Sequence, residues 1–288
     1  MTLDGRSPGP LVVAVAQIAS VPGDVVANVR KHLDVVADAR SRGVDVLLFP
    51  ELSLTGHHGG ADAMRIALPR DDPCVAEIAV ATGPMSTVFG IVEESGAAQF
   101  YNTAIAVRDG AVVDVHRKIH LATYGQLDDG KYFAAGRRVA PFGVPPGWRA
   151  CTLICADLWN PPLVHLAARQ ATTLMLAPVS SAREAVGDDF DNPQGWDVNL
   201  HFNALTYGLP IAMANRVGRD GGLSFWGGSR IVDAFGRTIA QAGNEGEELV
   251  QARVDFADVR RARHRLPTVR DANLPLLARE IARILAGE

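Results

Sequence analysis

The 288-residue sequence predicts an α/β protein in which helices lie outside and β-sheets lie inside. Three observations predict this fold class. Short apolar runs alternate with helical patterns near the start of the chain, two such runs flank an Arg-Asp-Gly turn in the middle, and strand–helix alternation then returns. The alternation implies parallel pairing and the turn implies a hairpin. No linker-like or low-complexity segment divides the chain, so we expect one domain over residues 1–288, with 255–288 as a C-terminal arm.

Capping residues and apolar runs define the elements of the first half. Asp24 is a suitable N-cap for a helix that ends near Arg42, before Gly43. Asp72-Pro73 begins a second helix, which runs to about Thr82. Continuous apolar runs predict buried strands at Leu11–Ile18, Val44–Phe49 and Thr87–Val92. The expected hairpin strands are Tyr101–Val107 and Ala111–His116.

The second half begins with a long irregular stretch, Ala122 to Gly147, that leads to a predicted strand over Trp148–Cys155. Asn160-Pro161 begins a helix to about Gln170, and a loop from Val179 to Gln194 precedes another helix. That helix is expected at Trp196–Tyr207. The remaining predicted strands are Thr172–Ala177, Ile211–Asn215, Leu223–Val232, Thr238–Ala242 and Leu249–Val254. Helical pieces of the arm are expected at Arg260–Arg265 and Pro275–Leu285.

The composition excludes several classes of protein. With 48% hydrophobic and 21% charged residues, the chain has the composition of a soluble globular protein with an ample core. A net charge of −4 gives little support to a nucleic-acid partner. No apolar run could span a membrane, and Met1–Arg6 lacks the pattern of a signal peptide. Three cysteines are too few for a disulfide framework. We therefore expect a cytoplasmic protein with no membrane partner.

A carboxylate, an ammonium and a thiol each lie at the end of a predicted strand, at Glu51, Lys118 and Cys155. Their segments are Phe49-Pro50-Glu51-Leu52-Ser53-Leu54-Thr55-Gly56, His116-Arg117-Lys118-Ile119-His120-Leu121 and Cys151-Thr152-Leu153-Ile154-Cys155. Strand ends of open α/β sheets face the crevice where ligands bind. A thiol nucleophile needs a base, the developing anion needs a fixed donor, and a nearby cation favours the thiolate. If these residues converge in space, they can form an acyl-transfer site.

Each residue also has a purely structural interpretation. Cys155 is consistent with a buried core cysteine, which we expect Cys151 to be. Glu51 is consistent with a loop carboxylate and Lys118 with a solvated strand residue, and only their joint placement favours function. His116 and His120 have the spacing of a metal pair on a helix, but a strand-to-loop segment does not present them on one face, so no metal site is expected.

The three segments, the last one extended through Leu153-Ile154-Cys155-Ala156-Asp157-Leu158-Trp159, resemble the signature segments of the nitrilase superfamily of carbon–nitrogen hydrolases. They occur in the same order and at about the usual separations. The resemblance extends from about Leu11 to Val254. Supporting matches are Tyr132–Gly136, Asn215–Gly218 and Phe225–Asp233.

This resemblance implies a four-layer αββα sandwich that pairs into homodimers or larger assemblies. It implies that Cys155 is the nucleophile, Glu51 the general base and later acid, and Lys118 the stabiliser of the tetrahedral intermediate. Such enzymes form a thioester or thioimidate on cysteine, release ammonia or an amine, and need no metal or organic cofactor.

Two positions depart from the family pattern. Asp129 stands three residues before Tyr132-Phe133, where the family usually carries a second glutamate. Aspartate is one methylene shorter, and misplacement by about 1 Å can lower a rate roughly a hundredfold. Asp128 is a less suitable substitute. Ala156 stands where relatives often carry a larger residue, which leaves the pocket shape open. The residues expected to position the substrate are Asp129, Tyr132, Ala156 and Trp159.

These observations predict a cysteine-dependent hydrolase of a small amide or N-carbamoyl compound. A nitrilase would use the same catalytic set, and an acyltransferase or a non-catalytic relative remain alternatives. The acidic stretch Gly187–Asp191 is consistent with a site for a cationic substrate or with a solvated loop. No phosphate-binding Gly-x-x-x-x-Gly-Lys-Ser/Thr run occurs, so no ATP-using domain is expected within these residues.

Overall fold

The computed structural model describes residues 7–56, 62–187 and 189–287, which form two six-stranded sheets packed face to face with helices on their outer faces. Met1–Arg6, on which the signal-peptide expectation rests, lies outside the described residues. The strands are β1 (Leu11–Gln17), β2 (Val46–Leu48), β3 (Ser86–Glu94), β4 (Phe100–Arg108), β5 (Ala111–Arg117), β6 (Phe142–Val144), β7 (Trp148–Thr152), β8 (Leu174–Val179), β9 (Ile211–Asn215), β10 (Val217–Asp220), β11 (Leu223–Trp226), β12 (Arg230–Val232), β13 (Thr238–Gln241) and β14 (Glu248–Val254).

The helices are α1 (Val25–Ser41), α2 (Ala63–Ile66), α3 (Pro73–Thr82), α4 (Asp129–Tyr132), α5 (Pro161–Arg169), α6 (Asn192–Tyr207), α7 (Phe256–Arg265), α8 (Thr268–Asp271) and α9 (Leu274–Ala286). A short 3-10 helix covers Cys155–Trp159. No helix in the described part of the chain is both long and apolar enough to cross a membrane.

The first sheet has the strand order β14-β1-β2-β3-β4-β5. Strands β1, β2 and β3 are parallel and are connected through α1 and α3, as predicted, while β4 and β5 form the predicted antiparallel hairpin. Both connecting helices begin at the expected caps. The Asp24 carboxylate accepts a hydrogen bond from Ala27 N, and the Asp72 carboxylate accepts one from Cys74 N.

The second sheet has the order β13-β12-β9-β8-β7-β6, and its central strands β7, β8 and β9 are parallel. Apolar side chains of both sheets meet between them, among them Val13 and Val46 of the first sheet and Leu174 and Ile231 of the second. Separate apolar clusters join α1 and α3 to the first sheet and α5 and α6 to the second. The predicted four-layer αββα sandwich is confirmed.

The predicted strand Leu223–Val232 is wrong, because two strands occupy this stretch in different sheets. Strand β11 pairs with β10 in a separate two-stranded sheet, whereas β12 lies in the second large sheet. Gly227 and Gly228 separate them with φ of +62° and +61°, a conformation that other residues rarely adopt. The apolar residues on the two sides of the glycines do not reveal that they belong to different sheets.

Three boundaries also differ from the predictions. Strand β7 ends at Thr152 and not at Cys155. The stretch predicted as irregular, Ala122 to Gly147, contains α4 and β6. Helix α6 begins at Asn192, inside the predicted loop, because the Asp191 carboxylate caps it by accepting a hydrogen bond from Gln194 N. In the arm, α7 buries Val259 and Ala262 against the sheets, whereas α9 buries none of its described residues.

Candidate active site

Glu51, Lys118 and Cys155 lie together, each beyond the end of a strand. Glu51 follows β2, Lys118 follows β5, and Cys155 follows β7. Lys118 Nζ lies 2.7 Å from Glu51 Oε1. Cys155 lines the same cavity as Ser180, whose N–H donates a hydrogen bond to Glu51 Oε2, so the thiol lies at the same site. The fold therefore produces the convergence that the chemistry requires.

The Glu51 carboxylate is fixed through both of its oxygens. Oε1 accepts hydrogen bonds from Lys118 Nζ and from Asn102 Nδ2 at 2.8 Å, and Oε2 accepts one from Ser180 N at 2.9 Å. The side chain is buried. Charged hydrogen bonds of this kind hold a carboxylate in one orientation, as a general base or acid requires. Neither Asn102 nor Ser180 was identified from the sequence.

Lys118 is buried between two carboxylates. Asp129 Oδ2 lies 2.6 Å from its Nζ and also accepts a hydrogen bond from Ala122 N. Burial alone would lower the pKa of Lys118, but Glu51 and Asp129 outweigh it and raise the pKa well above the ordinary value. Lys118 is therefore a permanent cation.

Asp129 reaches the site although it is shorter than the glutamate expected there. It is the first residue of α4 and is buried, whereas its neighbour Asp128 is exposed. The short helix brings the backbone close enough for the aspartate to contact Lys118 directly. The missing methylene is thus compensated by the position of the loop.

Cys155 occupies a strained position at the start of the short 3-10 helix, with φ of +44°. Burial, followed by the charge of Glu51, raises the pKa of its thiol well above the ordinary value. Lys118 lowers the pKa of the thiol, as expected of a nearby cation, and the N–H of Ser180 lowers it too. Burial and the charge of Glu51 have the larger effects. The resting group is therefore a neutral thiol that needs a base. Cys151, by contrast, lies in the core as predicted.

Asp157 connects the segments that carry Lys118 and Cys155. Its Oδ1 accepts hydrogen bonds from the backbone N–H groups of Ile119 and His120, at 3.0 and 2.7 Å. Its Oδ2 accepts one from Ile154 N and lies 2.9 Å from His116 Nε2. This buried carboxylate fixes the spacing of the ammonium and the thiol.

Sequence reasoning did not identify this role of Asp157, although its place two residues after Cys155 was a signal. His116 is engaged by Asp157, and no group of three or more potential metal-ligating side chains occurs among the described residues.

A cavity of about 210 Å³ opens beside Cys155. Its walls are mainly aromatic and apolar, and they include Tyr124, Leu127, Trp159, Phe190 and Trp196. The Trp159 ring makes edge contacts with Trp196 and Phe190, with ring centroids 5.3 and 6.2 Å apart. The site can therefore hold a small apolar group next to the thiol.

The four residues expected to position a substrate have different locations. Asp129 contacts Lys118, and Trp159 lines the cavity. Tyr132 packs instead into an apolar cluster with Leu52 and is not among the described residues that line the cavity. Ala156 is buried and is not among the described residues that line the cavity.

The acidic stretch Gly187–Asp191 contributes an aromatic ring to the cavity. Phe190 lines it, whereas Asp191 caps α6 and Asp189 is exposed. Asp188 lies outside the described residues. Of the two interpretations left open for this stretch, the described acidic side chains fit the solvated one.

The family described as carbon-nitrogen hydrolase matches residues 12–264 of the chain. A glutamine-dependent NAD(+) synthetase of Thermotoga maritima is 30% identical over 251 residues, which are 85% of this chain but 42% of that protein. This chain thus spans less than half the length of that relative. An (R)-stereoselective amidase of Pseudomonas sp. is 29% identical over 269 residues, which are 92% of each protein.

A solved structure of a mutant amidase from Nesterenkonia sp. AN1 has the same fold. It is 24% identical and matches 95% of this chain and 98% of its own chain, with a TM-score of 0.79. That structure shows covalent addition of the acetamide moiety of fluoroacetamide at its active-site cysteine.

Proposed function

The chain belongs to the carbon–nitrogen hydrolase family, and we propose that it is an amidase that hydrolyses small carboxamides through a thioester on Cys155. One observation carries the proposal. The Cys155 thiol lines a cavity together with Ser180, which holds one oxygen of the Glu51 carboxylate, while Lys118 contacts the other oxygen. This arrangement supplies a nucleophile, a base and an electrostatic stabiliser beside the cavity. The adduct on the active-site cysteine of the Nesterenkonia amidase supports the same chemistry.

In the first step, Glu51 removes the proton of Cys155 as Sγ attacks the amide carbon. A new C–S bond forms, and the carbonyl π electrons move to oxygen. Lys118 stabilises this oxyanion with a hydrogen that it does not donate to Glu51 or Asp129, since an ammonium has three.

In the second step, the protonated Glu51 donates its proton to the leaving nitrogen. The C–N bond breaks, ammonia departs and a thioester remains on Cys155. Glu51 is then a carboxylate again and removes a proton from water, whose oxygen attacks the thioester. The C–S bond breaks, the sulfur recovers the proton, and the carboxylic acid leaves.

A second candidate function is the use of glutamine as the amide. The relatives named glutamine-dependent NAD(+) synthetases favour this candidate by their similarity. The apolar wall around Cys155 favours an uncharged carboxamide instead. N-carbamoyl compounds and nitriles, which the sequence left open, can be processed by the same three side chains.

Ammonia release from carboxamides, glutamine, N-carbamoyl amines and nitriles tests the proposal. We expect release from carboxamides with the wild type and none above background with Cys155→Ala. Cys74→Ala is the matched control, because Cys74 is a half-buried thiol on α3, away from the site. Carboxamide turnover that persists in Cys155→Ala would overturn the proposal, and release from nitriles alone would replace it with a nitrilase.

A further inference from the structure

Resting on the proposed amidase function, we infer that the substrate is the primary amide of an uncharged acid whose acyl chain is apolar and either branched or aromatic. The inference depends on the wall of the cavity, on the pairing of the charged groups around it, and on one unpartnered hydroxyl.

The acyl group of a substrate bound to Cys155 enters a cavity that is lined by aromatic side chains. Trp159 and Phe190 are each 38% exposed, so their faces remain available to a ligand. Trp196 lies behind Trp159, and Leu127 and Tyr124 complete the apolar lining. Apolar chains gain free energy from burial in such a wall, and aromatic chains also gain from ring contacts.

The described residues of the wall offer no counter-charge for a charged acyl chain. Among the described residues that line the cavity, none carries a formal charge. The charged groups next to it pair with one another, since Lys118 contacts both Glu51 and Asp129. Glutamine carries its carboxamide on a side chain and keeps a free ammonium and a free carboxylate. It would have to bury both of these charges without counter-charges, which is strongly unfavourable.

One polar atom in the wall lacks a partner in the described protein. Ser180 is 4% exposed and lines the cavity, and its Oγ makes no hydrogen bond there. The neighbouring Ser181 Oγ is already bonded by Asn192 Nδ2 and Trp196 Nε1. A buried hydroxyl without a partner is unfavourable unless a ligand bonds it. If its side chain turned toward the cavity that Ser180 lines, this hydroxyl would supply one neutral hydrogen bond, which suits the amide group itself.

The size of the cavity limits the acyl chain. About 210 Å³ is below the roughly 300–1,000 Å³ of sites for drug-sized ligands. A chain with one branch or one ring therefore fits better than a long or multi-ring chain.

The test compares amides of matched shape and different charge. The first pair is 4-methylpentanamide and glutamine, because methyl groups in the former replace the ammonium and the carboxylate of the latter. The second pair is neutral butanamide and succinamate, which carries a terminal carboxylate. We expect kcat/KM to be at least about 100-fold higher for the neutral member of each pair. Binding of the same compounds to Cys155→Ala, measured by calorimetry, tests the cavity without turnover.

A charge placed in the wall should change this selectivity. Phe190→Arg should lower the preference for butanamide over succinamate by about tenfold relative to the neutral variant Phe190→Gln, because the guanidinium supplies the missing counter-charge. The matched control is Phe202→Ala, which removes an exposed ring from the outer face of α6 that is not part of the cavity lining. Its selectivity should equal that of the wild type.

The outcomes separate the two proposals. One outcome is that glutamine or succinamate is hydrolysed with the same kcat/KM as the neutral amides, in a reaction that depends on Cys155. That result would overturn this inference and leave the amidase function intact. If no amide is hydrolysed, the amidase function fails. Selective binding of 4-methylpentanamide to Cys155→Ala would then still support the apolar cavity, and equal or absent binding would overturn it.

Discussion

The charge of Asp129 contributes to the reactivity of Cys155, and replacing Asp129 tests that contribution. Its carboxylate raises the pKa of the thiol, although less than burial and Glu51 do. Asp129→Asn removes this negative charge, so the pKa of Cys155 should fall and alkylation by iodoacetamide should begin at lower pH. We expect kcat/KM for amides to fall by about 10- to 100-fold, because Lys118 loses one of its two ion pairs.

Asp128→Asn is the matched control for this experiment, since Asp128 is the exposed neighbour of Asp129. The control should show the alkylation profile and the kinetics of the wild type. An unchanged alkylation profile in Asp129→Asn would show that the Asp129 charge does not reach the thiol.

The catalytic candidates and their supports differ in how well sequence reasoning identified them. Glu51, Lys118 and Cys155 each follow a strand, so their placement was predictable from apolar runs and chemistry. Asn102 in β4 and Ser180 directly after β8 contact Glu51 from parts of the chain that are distant in sequence. Such contacts depend on how the strands pair and the sheets pack, which no local pattern records.

The segment directly after β2 that carries Glu51 and Leu52 packs closely against β3. A Cβ atom on Gly90 would lie 2.2 Å from Leu52 N, next to Glu51. Gly90→Ala should therefore displace this segment, lower the free energy of unfolding by about 1–3 kcal/mol and reduce amide turnover. Denaturant unfolding and kcat/KM measure the two effects.

Gly143→Ala in β6 is the matched control, because a Cβ atom there would meet nothing within 4 Å. It should leave stability and kinetics close to those of the wild type. If Gly90→Ala behaves in the same way, the Glu51 segment does not depend on this contact.

Helix α1 supports the Glu51 segment through a buried histidine. His32 contacts Asn28 O and Ser53 Oγ and stacks on Phe49. Burial lowers the pKa of His32 from 6.5 to about 4. Between these two pH values the unfolded chain binds a proton that the folded chain does not, so stability is full above pH 6.5 and declines as pH falls toward 4.

The expected loss of stability across this pH window is about 3 kcal/mol. His32→Gln should lack this decline in the free energy of unfolding, measured from pH 7 to about pH 4.5. His264→Gln, which changes an exposed histidine on α7, should retain it. A decline of equal size in His32→Gln would assign the acid sensitivity to other groups.

For the whole molecule, the sequence predicted the layers better than the boundaries. The parallel units around α1, α3, α5 and α6 follow from caps and apolar runs, and they define both sheets. Patterns of this kind give no information about which sheet a strand joins. For that reason the apolar pattern predicts one strand over Leu223–Val232, although its two halves belong to different sheets.

Association between copies remains a proposal that the exposed surface supports. Helix α9 exposes six large apolar side chains, namely Leu274, Leu276, Leu277, Ile281, Ile284 and Leu285. Apolar patches of this kind often mark interaction sites. We predict that light scattering on the purified protein gives at least twice the monomer mass. A monomer at all micromolar concentrations would contradict the homodimer.

The most direct test of the proposed mechanism is mass spectrometry of the enzyme quenched during turnover of 4-methylpentanamide. We predict a 4-methylpentanoyl adduct on the peptide that contains Cys155, and no adduct in Cys155→Ala. Glu51→Gln should slow both formation and hydrolysis of the adduct. Amide turnover with the adduct on another residue, or with full activity in Cys155→Ala, would contradict the thioester mechanism.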